Sequence, residues 1–330
     1  MSGPAAATMR AITQDRYGTP DTLTLRDVER PRLRDDHVLV RVRAAGIHRG
    51  DRILLAGRPY AVRIVGPRAP RHRIAGTEGA GEVHSVGSAV TEFAPGDEVL
   101  GWGTSMFAEF ASVPAKNLVP KPAALTFEQA AALPISGMTA IQALDGRTRP
   151  RPGQQVLVIG AAGGVGTFAV QIAKAYGAEV TGVGSTTKAD LIRSLGADHV
   201  VDYTREDYTR SPRRYDIIVD LIGDRPVGLL RQLLTPTGTL VMAGVEKGGP
   251  VLGGFERNLA ALLYAPLVRQ RRVRPLSSVG RRPDLLALTE LADAGHLVPA
   301  VDRTYPLGRT AEAFRYLADE HARGKVVVTP

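Results

Sequence analysis

The sequence predicts an α/β protein built around a doubly wound parallel sheet, and three observations carry that prediction. After Pro152-Gly153 short apolar runs alternate with helical segments. The first of those runs leads straight into the glycine-rich turn "GAAGGVG" (Gly160–Gly166). Residues 9–120, by contrast, are β-rich, which marks a second, differently built part. Strands alternating with helices at this spacing form a parallel sheet with helices on both faces.

The elements follow in order. "HVLVRVRAAGI" (His37–Ile47) alternates as a strand does, and Gly, Pro and Asp punctuate "FAPGDEVLGWG" (Phe93–Gly103). From Thr126, a plausible N-cap, "TFEQAAALPISGMTAIQAL" has apolar residues at helical spacing. The strands of the second part are "QVLVIG", "EVTGVG", "HVVDY", "YDIIVDLIG" and "GTLVMAG", with helices at Gly164–Tyr176, Lys188–Leu195 and Pro226–Leu234. "VRPLSSV" continues as a strand and "DLLALTELADAG" as a helix; the strand "TYPL", the helix "RTAEAFRYLADEHARG" and the strand "KVVVTP" close the chain.

Composition narrows the function. The 330 residues suffice for two packed domains. There is no cysteine, which excludes disulfides, thiolate catalysis and a cysteine-ligated zinc site, and is compatible with a reducing cytoplasm. "MSGPAAATMR" lacks the apolar run of a signal peptide, so Met1–Thr8 reads as a flexible tail. The longest apolar run, Leu259–Val268, is too short to span a bilayer and reads as a buried or pocket-lining helix; the alternative is a surface membrane contact helped by Arg269–Arg274. The net charge of +9 raises nucleic acid binding, but the basic residues lie in separated groups such as "RPRLR" and "PRHR". With no zinc-finger or RNA-binding signature beside them, they read as a solvated, arginine-biased surface.

The glycine-rich turn is the chemical centre of the sequence. A strand, closely spaced glycines and a helix present backbone N–H groups and the positive end of a helix dipole to an anion. Gly160, Gly163, Gly164 and Gly166 let the backbone approach a pyrophosphate, although the first position of the usual GxGxxG is Ala161. The reading is a dinucleotide site. An NAD site places an acid at the end of the second strand, on the ribose 2′-OH. Here the strand ends in Gly184 and Ser185, with Lys188 three residues on, a hydroxyl and an ammonium suited to a 2′-phosphate. That points to NADPH; the competing reading makes Ser185 a helix N-cap and Lys188 a solvated charge.

At this point the sequence resembles the medium-chain dehydrogenase/reductase superfamily, in its zinc-independent quinone oxidoreductase branch. The resemblance runs from Met9 and rests on "MRAITQDRYGTPDTLTL", "PGDEVLG", "MFAEFASVPA", "AALPISGMTAIQAL", "AAGGVG", "SLGADHVVDYT" and "GKVVV". It implies a GroES-like catalytic domain over residues 1–124 and 281–330 and a Rossmann NADPH-binding domain over 125–280. It further implies that Thr139, Ala162, Gly163, Gly164, Val165, Gly166, Ser185, Lys188, Tyr203, Gly244 and Lys325 lie near NADPH, and that the chain is a homodimer. Tyr203 is alternatively a strand-end ring packing on its neighbours. Zinc-dependent relatives carry Cys in the first-domain segment that here reads "GIHRGD" (Gly46–Asp51), and His where "GTEGAG" has Thr77. His48 alone cannot make a zinc site, so no metal is expected.

Hydride addition to an enone or quinone leaves negative charge on oxygen, which hydrogen-bond donors or an acid must receive. The candidates lie in "GIHRGDRILLAGRPY": His48 where the family often has asparagine, Asp51 and Tyr60. His48 is either a proton donor or a histidine that only bonds a loop carbonyl, and Asp51 more often orients a neighbour than reacts. The expected substrate is a small hydrophobic carbonyl compound or quinone, with no nucleic acid partner and no stable membrane insertion. The alternatives are a zinc-independent ketone/alcohol oxidoreductase and a non-catalytic NADPH-binding protein.

Overall fold

The computed structural model describes residues 7–243, 272–319 and 322–330. The chain forms two compact units: one takes residues up to Ile135, Gly280–Asp293 and Val298 onward, the other Ser136–Val279 and Ala294–Leu297. Gly244 and the apolar run Leu259–Val268 lie outside the described residues.

The first unit is organised by a seven-stranded sheet. Its strands are β3 (His37–Ile47), β4 (Glu78–Val86), β5 (Glu98–Trp102), β6 (Phe110–Pro114), β7 (Leu118–Pro120), β14 (Val301–Pro306) and β15 (Lys325–Thr329). The order is β14-β15-β3-β4-β5-β7, with β6 also paired to β3. A hairpin of β1 (Thr8–Gln14) and β2 (Leu23–Glu29) stands beside it. Alternation in β3 puts Val38, Val40 and Val42 into a core with Phe107, Phe314 and Val326, while Arg41 and Arg43 face out. β15 and β4 both run antiparallel to β3, so the last residues of β3 meet the first of β4 and β15. Gly46 pairs with Glu78, and Ile47 with Val326. That shared end carries a buried polar network of the first unit.

The second unit holds six parallel strands in the order β10-β9-β8-β11-β12-β13. They are β8 (Gln155–Ile159), β9 (Glu179–Gly184), β10 (His199–Asp202), β11 (Tyr215–Asp220), β12 (Leu234–Met242) and β13 (Arg272–Pro275). Chain order reverses between β8 and β11, the switch point at which doubly wound sheets bind ligands beyond their strand C-termini. β8 reads as continuous Val-Leu-Val-Ile because it is covered on both faces.

The helical stretch expected from Thr126 is two helices, α2 (Phe127–Ala132) and α3 (Pro134–Ala143). Thr126 caps α2 as expected, its hydroxyl accepting the Gln129 N–H. Pro134 has no N–H to continue the ladder and its ring opposes the preceding turn, so it starts a new helix. α2 packs on β3, β4 and β15 and belongs with the first unit.

Candidate active site

At the common end of β3, β4 and β15 the first unit buries a polar network. His48 follows β3 and caps α1 (Arg49–Ala56). Its Nδ1 accepts the Gly50 N–H at 2.9 Å, and Asp51 Oδ2 accepts the His48 N–H at 3.0 Å. This is a capping box with histidine in the place usually held by serine or threonine. Because Nδ1 is an acceptor, the neutral ring carries its proton on Nε2, which donates to Thr77 Oγ1 at 2.7 Å. Thr77 in turn donates to Asp51 Oδ1 at 2.7 Å. His48 retains 14% of its side-chain surface and Asp51 is buried.

The same strand ends bring together an ion pair. Glu78 and Lys325 are 0% and 1% exposed and stand 2.5 Å apart. Lys325 Nζ also donates to the Ile47 carbonyl, and Glu78 Oε2 accepts the Ile135 N–H at 2.7 Å. Burial pushes the Asp51 carboxyl up to about 6, against hydrogen bonds from His48 and Thr77 and the Lys325 charge. Burial pulls His48 down to about 4, with the Glu78 carboxylate opposing and Lys325 reinforcing the shift. Near neutral pH the imidazole is therefore uncharged, and the Lys325 ammonium sits on Glu78 and the Ile47 carbonyl.

The second unit also gathers its candidate residues at strand ends. Gly160 leaves β8 with φ +85°, and its N–H and that of Ala161 donate to Val183 O. Gly163 caps α4 (Gly164–Ala175) with no side chain, and the first turn of the helix holds no acid. The N–H groups of Gly164, Val165 and Gly166 have no partner within the helix. β9 runs out at Gly184, beside which β10 places Asp202. Tyr203 N–H donates to Gly184 O, so Ser185, Lys188 and Tyr203 gather around one strand terminus. The Tyr203 ring is 54% exposed.

The sequence-expected residues thus fall into separate groups. His48 and Asp51 come together, with both nitrogens of the His48 ring engaged inside the protein. Tyr60 is 45% exposed, its ring flanked by Arg58 and Arg63. Lys325 spends its ammonium inside the sheet, on Glu78 and Ile47. Thr139 lies partly exposed on α3. Sequence reasoning missed Thr77 and Glu78 as members of the network, and it missed Asp202. That carboxylate accepts hydrogen bonds from the Thr186 and Thr204 hydroxyls, and these hold its pKa below the usual range. The signal was present only as the pairing of two neighbouring strands.

A GroES-like β unit with a buried polar network and a doubly wound unit with a glycine turn at its switch point define a dinucleotide-dependent oxidoreductase architecture. The alcohol dehydrogenase GroES-like domain matches residues 34–123, and a family described as zinc-binding dehydrogenase matches 195–328. The chain is 34% identical to the NADPH-dependent alkenal/one oxidoreductase of Arabidopsis thaliana, over 98% of this chain and 80% of that one. It is 32% identical to the 2-methylene-furan-3-one reductase of Solanum lycopersicum, over 98% and 79%. Its fold matches the quinone oxidoreductase of Coxiella burnetii with a TM-score of 0.83 at 29% identity, covering 98% and 100%. The chain belongs to the medium-chain dehydrogenase/reductase superfamily of oxidoreductases, in its quinone oxidoreductase branch.

Zinc and a nicotinamide dinucleotide are the groups this family implies. The donor set does not fit zinc: Lys325 occupies Glu78, Thr77 stands between His48 and Asp51, and among the described residues no three His, Cys, Asp or Glu converge on a metal position. The glycine turn fits a dinucleotide. A Cβ at Gly163 would meet only Gly160 O, at 3.4 Å, so the uncapped helix start is open to an anion.

Proposed function

We propose that the protein is an NADPH-dependent reductase of α,β-unsaturated ketones or quinones that works without a metal ion. The observation that carries this reading is the uncapped, acid-free helix start after Gly163, with Ser185 and Lys188 gathered at the neighbouring strand end. In this reading the N–H groups of Gly164–Gly166 hold the pyrophosphate. Ser185, Lys188 and Tyr203 receive the 2′-phosphate, and Thr139 adds a further cofactor contact. When bound, NADPH supplies a hydride to an electrophilic carbon of the acceptor. The names of the alkenal/one and furanone reductases, both similar over nearly the whole chain, support a small hydrophobic carbonyl acceptor. His48 and Asp51 provide the polar, proton-bearing part of the site. A homodimer in a reducing cytoplasm belongs to the same proposal. The cysteine-free composition is compatible with that compartment, and light scattering tests the dimer.

The test is a panel of enones and quinones followed at the NADPH absorbance band, repeated with NADH and with a metal chelator. We expect NADPH oxidation that the chelator leaves unchanged. NADPH should be favoured over NADH by about 10- to 100-fold, as charge-assisted contacts to one phosphate provide. Silence with every acceptor would sink the activity. Chelator inhibition reversed by zinc would sink the metal-free chemistry.

A further inference from the structure

We propose that Thr77 is the proton-donating hydroxyl of the reduction, and that Asp51 decides whether this hydroxyl points into the protein or out of it. The inference rests on the reductase reading above and adds to it the residue that delivers the proton.

Hydrogen-bond direction decides which way the Thr77 hydroxyl points. A threonine hydroxyl has one proton to give and can accept two. Thr77 Oγ1 already accepts the His48 Nε2–H, whose direction is fixed because Gly50 N–H occupies Nδ1. While Asp51 is ionised, the single Thr77 proton is drawn to Oδ1 at 2.7 Å, and the hydroxyl has nothing to offer an acceptor. When Asp51 carries a proton on Oδ1, the same contact reverses. Thr77 then accepts from both His48 and Asp51, and its own proton is released outward. Thr77 and His48 keep exposed surface, whereas Asp51 is buried, so Thr77 is the outlet and Asp51 the store. His48 acts as a positioning residue, since it fills one lone pair of Thr77 and leaves the hydroxyl a single choice.

Burial is what lets the Asp51 store fill near neutrality, and it outweighs the hydrogen bonds from His48 and Thr77 and the Lys325 charge, which favour the ionised form. His48 caps the same helix and is kept neutral by burial. Glu78 on β4 takes up the Lys325 ammonium of β15, which weakens the one cation that would hold Asp51 ionised. With the carboxyl held up to about 6 by burial, a useful fraction of the protein carries the outward-pointing hydroxyl at pH 6–7. The step balances. Hydride forms the new C–H bond at the β-carbon, and the π electrons move to the carbonyl oxygen. The Thr77 O–H breaks as the substrate O–H forms, and the Asp51 proton restores the threonine. A proton taken up from solvent then restores the Asp51 acid, and the enol tautomerises to the ketone in solution.

The test has an arm without cofactor and an arm with it. In the protein alone, ¹³C NMR of the Asp51 carboxyl should show Thr77→Val titrating at higher pH than the parent, because the hydrogen bond to the ionised form is gone, while Thr77→Ser stays with the parent. In turnover with an enone, kcat/KM of the parent should fall as pH rises above about 6. Thr77→Val should lose about 100-fold or more and flatten that limb, in line with the usual contribution of a positioned acid, while Thr77→Ser keeps the limb. An Asp51 titration unmoved in Thr77→Val, or a Val variant as fast as the parent, overturns the relay while leaving the reductase reading intact. If the valine variant does not fold, a parent kcat/KM that is flat from pH 5 to pH 8 overturns it. A parent protein that leaves NADPH unoxidised with every enone and quinone instead fails the underlying reading.

Discussion

His48 and Asp51 are coupled by two hydrogen bonds within one capping box, yet their titrations push stability in opposite directions. Asp51 prefers its acid form in the fold. Its contribution is complete below the ordinary carboxylate range and is lost as pH rises through about 6. His48 prefers its neutral form. Its contribution is complete above the ordinary imidazole range and is lost as pH falls through about 4. Each shift is worth at most about 3 kcal/mol, so between pH 4 and pH 7 the two nearly cancel. Removing one should expose the other. Urea unfolding of Asp51→Asn should gain stability with rising pH more steeply than the parent, and His48→Asn should lose it. Parallel curves for all three proteins would show that neither group is perturbed. At this scale the sequence revealed the candidates and hid the environment. "GIHRGD" announces a histidine and an acid at helix spacing, but the lysine that balances Glu78 is 247 residues away. Thr77 carried no signal beyond not being a histidine.

The glycine turn was the most legible element, because its spacing between an apolar strand and a helix is itself the mechanism. Of its glycines, Gly166 is required by close approach. A Cβ there would run into the carbonyl oxygen of Gly160 and the backbone of Ala161, none of which can rotate away. Gly166→Ala should therefore part α4 from β8. We expect a stability loss of about 1–3 kcal/mol, as overpacking costs, together with weaker NADPH binding. Thermal unfolding and fluorescence titration of the same sample would measure both, and an alanine variant equal to the parent in each would remove this account of the turn. Elements whose local sequence decides them were read correctly, β8, β9 and α4 among them. Pro134 was visible in the sequence, but its division of the helical stretch into α2 and α3 became clear only in the fold. The carboxylate-free end of β9 was read within one strand, whereas β10 sets Asp202 in register with Gly184. The Thr186 and Thr204 hydroxyls hydrogen-bond that carboxylate and hold it ionised.

For the whole molecule, alternation of strands and helices implies a parallel sheet, but the order of its strands is a property of how they pack. That order sets the glycine turn after β8 between β9, which leads to Ser185, and β11. The same scale decides how the cofactor is drawn in. The chain carries 42 basic and 33 acidic side chains, a net charge of +9, so its surface potential favours anions before any contact forms. NADPH differs from NADH only by the 2′-phosphate, which adds close to two negative charges at neutral pH. Raising salt from about 20 mM to about 300 mM shortens the screening length from about 20 Å to under 10 Å, which removes the long-range attraction and weakens the partly exposed contacts. NADPH affinity should therefore fall with salt more steeply than NADH affinity. On the proposed placement of Lys188 beside the 2′-phosphate, the two slopes should draw together in Lys188→Ala. Fluorescence titrations with both cofactors across the salt series measure the slopes directly. Equal slopes in the parent protein would mean that the 2′-phosphate meets no cation, and the NADPH reading would fail with it.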